Sequence, residues 1–164
     1  MLDTSTSPAF ASAVGAKLGI ENLGQYPTLV TICRHLNKRH GTIHTDSKSK
    51  VVTALIYLNP RWPDTSDGCL RFLHRIDDID SVVVPELAPL YGEFAVFKRC
   101  ENSFHGHLPY EGERRVIQVA WLTSEEEKRR KTKRGKFSRA FKKLFGRFDT
   151  RLGAGRDRNA SHHD

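Results

Sequence analysis

His44 and Asp46, in the triplet His-Thr-Asp, stand just before the most strand-like run of the chain, VVTALIYLN at residues 51–59. On an extended segment side chains two apart share a face, so this imidazole and this carboxylate point the same way and fill two adjacent positions on one metal ion. With eight His and ten Asp in 164 residues, about half of one such triplet is expected by chance, so the pair needs a third donor and a context. The candidates are His105 and His107 in SFHGHLPYEGERR, one pleat apart on a common face. Two imidazoles and one carboxylate on one side of an ion leave the other side open. That is the donor set of a non-haem Fe(II) centre, where an acid cosubstrate and dioxygen must both reach the metal. His35, His40 and His74, taken singly, read as ordinary surface or hydrogen-bonded histidines.

These donors need a scaffold that brings residues 44 and 105 together, and the pattern supplies one. Residues 8–19, PAFASAVGAKLG, predict a short helix that covers one face of a sheet. From Tyr26 to Leu122 short β-rich runs alternate with turn chemistry. We read eight strands: TLVTICRHL, GTIHTD, VVTALIYLN, GCLRFL, SVVVPE, GEFAVFKR, SFHGHL and RVIQVAWL. Strands of this length and spacing predict a mainly β antiparallel barrel or a two-sheet, cupin-like jelly roll. The β pattern stops after Leu122, and SEEEKRRKTKRGKFSRAFKKLFGRF is helical in composition. The expected division is an N-terminal helical segment over 1–25, a β core over 26–124, and a basic amphipathic helix with a disordered tail over 125–164.

Composition bounds the partners. Residues 125–164 hold 14 Lys+Arg against 6 Asp+Glu, which is the whole net charge of +8, so the body is electrically balanced. Any affinity for an anionic surface therefore belongs to the tail. There Phe137, Phe141, Leu144, Phe145, Phe148 and Leu152 form one helical stripe with Lys and Arg around it. A helix docked on the body is the first expectation and one lying on an anionic membrane the second. Nucleic acid comes last, because KRRKTKRGK carries charge without interleaved aromatics to stack bases. No run of about eighteen apolar residues exists, MLDTSTSPAF lacks a secretory pattern, and Cys33, Cys69 and Cys100 show no pairing. The expectation is a cytoplasmic protein, peripheral to a membrane at most.

From about Gly41 to Leu122 the chain resembles the 2-oxoglutarate and Fe(II)-dependent oxygenase superfamily, particularly its prolyl-hydroxylase-like branch. The resemblance rests on H-x-D, then VVTALIYLNPRW, DGCLRFL, GEFAVFKR and FHGHLPYEGERRVIQVAW, in the family's order and spacing. It implies a double-stranded β-helix and makes His44, Asp46 and His105 the metal ligands, with His107 as the fallback. It also implies a basic residue nine or ten positions after the second His to bind the far carboxylate of 2-oxoglutarate. Arg114 and Arg115 both qualify, and strand parity chooses between them. Arg114 shares a face with Val116, Gln118 and Ala120, the smaller and more polar set, which suits an interior holding a polar cosubstrate. Arg115 lies with Ile117, Val119 and Trp121, which suits packing against an outer helix. Tyr57, before Leu58-Asn59, is implied as a second donor to that carboxylate, and Leu70 as an apolar wall.

The cofactors implied are Fe(II), 2-oxoglutarate and dioxygen, with ascorbate as an accessory reductant. The implied activity is hydroxylation of a C–H bond on a peptide side chain or small metabolite, with succinate and carbon dioxide as coproducts. The alternative is an inactive metal-binding jelly roll directed to an anionic partner by its basic tail. Trp62, in the loop after β-rich residues 51–59, is more readily explained by packing than by substrate contact. Two departures from the family stand out. Only 43 residues precede His44, and Asp67-Gly68 occurs where Gly-Gly is frequent.

Overall fold

The computed structural model describes residues 6–37 and 41–134. Helix α1 spans Pro8–Leu18, and its ends follow from its sequence. Ser7 caps the start by accepting from the Phe10 amide at 3.2 Å, and Pro8 occupies the first turn, where no amide donor is needed. Gly19 ends it in the left-handed region at φ 62°, while the Gly19 and Ile20 amides return to Ala16 O and Gly15 O.

Six strands follow: β1 Thr28–Leu36, β2 Lys50–Tyr57, β3 Arg71–Leu73, β4 Phe94–Lys98, β5 Phe104–Gly106 and β6 Gly112–Leu122. A four-stranded antiparallel sheet has the order β1-β6-β2-β4. The smaller sheet pairs β3 with β5, and single bridges extend it on both sides, His44 to His105 and Val82 to Leu73. This mainly β, two-sheet arrangement is jelly-roll-like. The segments GTIHTD and SVVVPE, expected as strands, thus contribute one bridge each. In the first, Thr42 O accepts from the His44 ring and is not spent on a ladder. In the second, Val82, Val83 and Val84 are 42–50% exposed at the sheet margin, and Pro85 cannot donate. Their pairing with β3 is limited to Ser81–Val83, where Ser81 O accepts from the His74 amide and the Val83 amide donates to Phe72 O.

The larger sheet separates two cores. On its outer face Val52, Ala54, Ile117, Val119 and Trp121 pack against Ala11 and Val14 of α1. On its inner face Tyr57, Ala95 and Val116 meet Leu70, with Phe72 and Leu55 beside them. A bulge breaks the period of two between Lys50 and Val52. Val51 packs with the outer core, and Lys50, which by parity would follow Val52 outward, lines the interior cavity.

Trp121 is 1% exposed, with its ring stacked on Phe10 at 5.9 Å, yet its indole N–H finds no acceptor among the described residues. Trp121→Ala is expected to cost about 3–5 kcal/mol. Trp121→Phe is expected to cost less than about 1.5 kcal/mol, because losing an unsatisfied buried donor offsets part of the lost volume. Chemical denaturation of the full chain measures both, and equal losses contradict the argument.

The chain divides into two units between residues 125 and 126, and residues 126–134 of the second are helical. The aromatic stripe from Phe137 to Leu152 lies outside the described residues. Among the described residues no helix is long and apolar enough to cross a membrane.

Candidate metal centre and its cavity

The smaller sheet places the imidazoles. His44 and His105 exchange both backbone hydrogen bonds, each 3.0 Å, so their side chains leave the same rung, with ring centroids 4.4 Å apart. Asp46 follows two residues after His44, and the donor atoms of His44, Asp46 and His105 all lie within 4.8 Å of one another. Two donors on one ion, each at roughly 2.2 Å, cannot be more than about 4.4 Å apart, so a shift of a few tenths of an ångström closes the set. His107 stands outside it, and its ring lies where a Cβ on Gly41 would fall.

Hydrogen bonding fixes which ring nitrogens are available. His44 Nδ1 donates to Thr42 O at 2.8 Å and His105 Nδ1 donates to Ser103 O at 2.9 Å. A carbonyl only accepts, so each Nδ1 carries a proton, and each Nε2 is the ring nitrogen not engaged by that bond. Burial, its largest influence, pushes the His105 imidazolium to lower pKa, and the neutral ring is the ligand form.

Asp46 is 6% exposed, and its carboxylate is held from both sides. Lys50 Nζ donates to Oδ1 at 2.6 Å, and Thr53 Oγ1 donates to Oδ2 at 2.5 Å. Burial alone would raise this carboxyl, but the Lys50 charge and the bonds from Lys50 and Thr53 outweigh it and hold it below the usual range. Thr53 could be found from the sequence, since it shares the inner face with Leu55 and Tyr57. Lys50 could not, because its direction comes from the bulge.

Behind these donors lies a cavity of about 280 Å³ that reaches Arg114 and Leu70. Arg114 is 7% exposed. Its Nε donates to Gly68 O at 2.9 Å and its Nη2 to the Tyr57 hydroxyl at 3.2 Å, with the guanidinium carbon 5.0 Å from the Tyr57 ring centre. Among the described residues no carboxylate pairs with this buried cation. Arg115, by contrast, is partly exposed and ion-paired with Glu113 at 2.8 Å. Gly68, at φ 74°, needs its glycine, since a Cβ would meet the Trp62 ring at 2.8 Å. Asp67 has no positive φ, which explains why an aspartate is tolerated there. Trp62 packs on Tyr110 with centroids 4.4 Å apart and donates to Asp67 O.

The site thus joins two imidazoles and a carboxylate, a set suited to a divalent ion, with a buried cation that lacks a counter-ion among the described residues. A small diacid with one end at the donors and the other at Arg114 fits both requirements.

A sequence model described as the 2OG-Fe(II) oxygenase superfamily matches residues 30–123, more than half of the chain. No curated protein matches the sequence. Among solved structures the fold is similar to a Pseudomonas putida prolyl-4-hydroxylase, with TM-score 0.53 and 23% identity over 70% of this chain and 60% of that one. It is also similar to a Trichoplax adhaerens prolyl hydroxylase in complex with a hypoxia inducible factor oxygen degradation domain peptide fragment. There the TM-score is 0.50 and the identity 21%, over 69% of this chain and 52% of that one. A Phytophthora capsici prolyl 4-hydroxylase gives 0.50 and 22%, over 74% and 42%. At these identities the likeness is one of fold, and this chain spans less than two thirds of each of those structures.

Proposed function

Because this chain belongs to the 2OG-Fe(II) oxygenase superfamily, we propose that it is an Fe(II)/2-oxoglutarate-dependent dioxygenase that hydroxylates a C–H bond of a peptide side chain or small metabolite. The observation that carries this reading is Arg114, a buried guanidinium without a carboxylate partner among the described residues, in the same cavity as the His-Asp-His trio. The peptide alternative is favoured by the Trichoplax enzyme, whose structure holds a peptide. We read the two sheets as a double-stranded β-helix over 26–124, with 1–25 as its helical brace and 125–164 as an appended basic segment.

In this reading His44, Asp46 and His105 hold Fe(II) through two Nε2 atoms and one carboxylate oxygen. When bound, iron, 2-oxoglutarate and dioxygen would together supply oxidative decarboxylation to succinate and carbon dioxide coupled to hydroxylation of an unactivated C–H bond, one oxygen atom of dioxygen going to succinate and the other to the product. The chain's residues position and shield. Arg114 grips the far carboxylate with its remaining N–H groups, and its bond to Gly68 O fixes the plane of the guanidinium. Tyr57 donates its hydroxyl hydrogen to the same carboxylate while accepting from Arg114. Leu70 and Val116 close the apolar sides of the cavity and keep water from it.

Adding 2-oxoglutarate to the Fe(II)-loaded protein under nitrogen is expected to give the weak visible charge-transfer band of a chelated 2-oxo acid. Succinate release in air is then measured against candidate peptides and metabolites. A folded, iron-loaded sample that shows no band rules the proposal out.

Tyr57 carries a pH prediction. Burial pushes its phenol to higher pKa, against the opposing pull of Arg114. A raised value means the native state holds the proton more firmly than the unfolded chain, whose tyrosines ionise near roughly pH 10. The stability it contributes is present below that pH and is lost as pH rises through the folded value. Affinity for 2-oxoglutarate is therefore expected to stay flat from neutrality to about pH 9, where the hydroxyl remains a donor. Tyr57→Phe removes a charge-assisted hydrogen bond to the carboxylate and the acceptor of Arg114 Nη2, and is expected to weaken binding about tenfold or more. Calorimetric titration measures both.

A further inference from the structure

We propose that Lys50 is a built-in counter-ion that keeps the metal site formed without metal and holds its affinity for a divalent ion down, so that the ion exchanges. The inference rests on the reading of His44, Asp46 and His105 as ligands and adds a residue that does not coordinate.

Lys50 reaches Asp46 through an irregularity in β2. Strict alternation would send it outward with Val52 and Ala54. The bulge at Val51 turns it inward, where its side chain is only 14% exposed and its ammonium lies 2.6 Å from Asp46 Oδ1. Bulges beside sites commonly re-aim one side chain, and here the side chain re-aimed is a cation directed at a metal-binding carboxylate. Without it, Asp46 would be a buried carboxylate held by the Thr53 hydroxyl alone among the described side chains, an arrangement that disfavours the closed site.

Lys50 therefore supplies in the metal-free protein the positive charge that the ion supplies in the loaded one. The two do not exclude each other at the carboxylate. Each oxygen has two lone pairs, and Lys50 and Thr53 use one apiece. They do repel, since an ammonium bonded to a ligand oxygen stands within a few ångström of any ion held there, in a partly desolvated setting where charges are weakly screened. The orienting benefit of the Lys50 hydrogen bond is the smaller effect, because Thr53 holds the carboxylate from the other side. Lys50 thus acts as a positioning residue that stabilises the empty site at the expense of metal affinity.

Co(II) binding by the full-length, metal-free chain tests this, measured calorimetrically, with melting temperature recorded at each loading. Lys50→Met and Lys50→Gln both remove the charge, and the glutamine keeps a donor if the methionine fails to fold. Both are expected to bind Co(II) at least tenfold more tightly than the wild type and to melt lower when metal-free. Their gain in melting temperature on Co(II) addition should exceed that of the wild type, and Lys50→Arg should restore wild-type behaviour. Unchanged or weaker Co(II) binding in both neutral variants overturns the role of Lys50 and leaves the metal centre standing. If Co(II) binds the wild type no better than Asp46→Ala, the ligand assignment fails first and this inference falls with it.

Discussion

Arg114→Gln is expected to raise the dissociation constant for 2-oxoglutarate about a hundredfold, while Arg115→Ala changes it by less than about twofold. The size follows from what the cavity offers. Arg114 is buried, already oriented by Gly68 and Tyr57, and has no carboxylate of its own among the described residues. A charge-assisted hydrogen bond contributes about 1.5–3 kcal/mol. Glutamine retains one neutral donor, so a net loss of about 3 kcal/mol remains, or roughly two decades in affinity. Arg115 spends its charge on Glu113, which Arg34 and Arg115 together hold down to about 2 in pKa, at the surface. Titration of 2-oxoglutarate into Co(II)-loaded protein under nitrogen decides the matter. If Arg115→Ala loses binding and Arg114→Gln keeps it, the cosubstrate lies on the other face of β6.

Asp46→Ala is expected to remove divalent-metal binding, with a loss on the order of a thousandfold, and to bring succinate release to background. Removing one partner of a buried ion pair costs about 3–5 kcal/mol, because the other charge is left behind. Here that charge is Lys50, and it then faces the incoming ion with nothing between them. The variant loses the anionic donor and gains an opposed charge in one step. His44→Ala is expected to lose less, since it deletes an exposed donor that brings no negative charge to the ion. In Asp46→Ala combined with Lys50→Met, folding stability should recover and metal binding should not. Recovery of metal binding in the double variant would mean that Asp46 is no ligand.

The larger sheet was legible because β6, and β2 from Val52 onward, keep a regular alternation. Thr53, Leu55 and Tyr57 face one way and Val52, Ala54 and Ile56 the other, and the same rule separates Arg114 from Arg115 along β6. Helix α1 was legible from Ser7-Pro8 and Gly19, whose chemistry marks its ends. The smaller sheet was less so. Val82 and Val83 reach only a three-residue partner, β3, and GTIHTD spends a carbonyl on an imidazole, so both shrink to bridges. The trio could be read from spacing and resemblance, but the roles of Lys50 and Thr53 at Asp46 could not be read together. One obeys parity, and the other depends on an inserted residue that parity does not anticipate.

If His44 and His105 hold one ion, as proposed, the rung they share ties loading to the lifetime of the fold. The unfolded chain holds these imidazoles too far apart to grip one cation, and the loop between them must close before any ligand set exists. An ion bound only by the native form withdraws molecules from the unfolding equilibrium in proportion to its free concentration. On the proposed reading, scarcity of the ion would leave a larger share of the chain unfolded, so the lifetime of the fold would follow the metal supply.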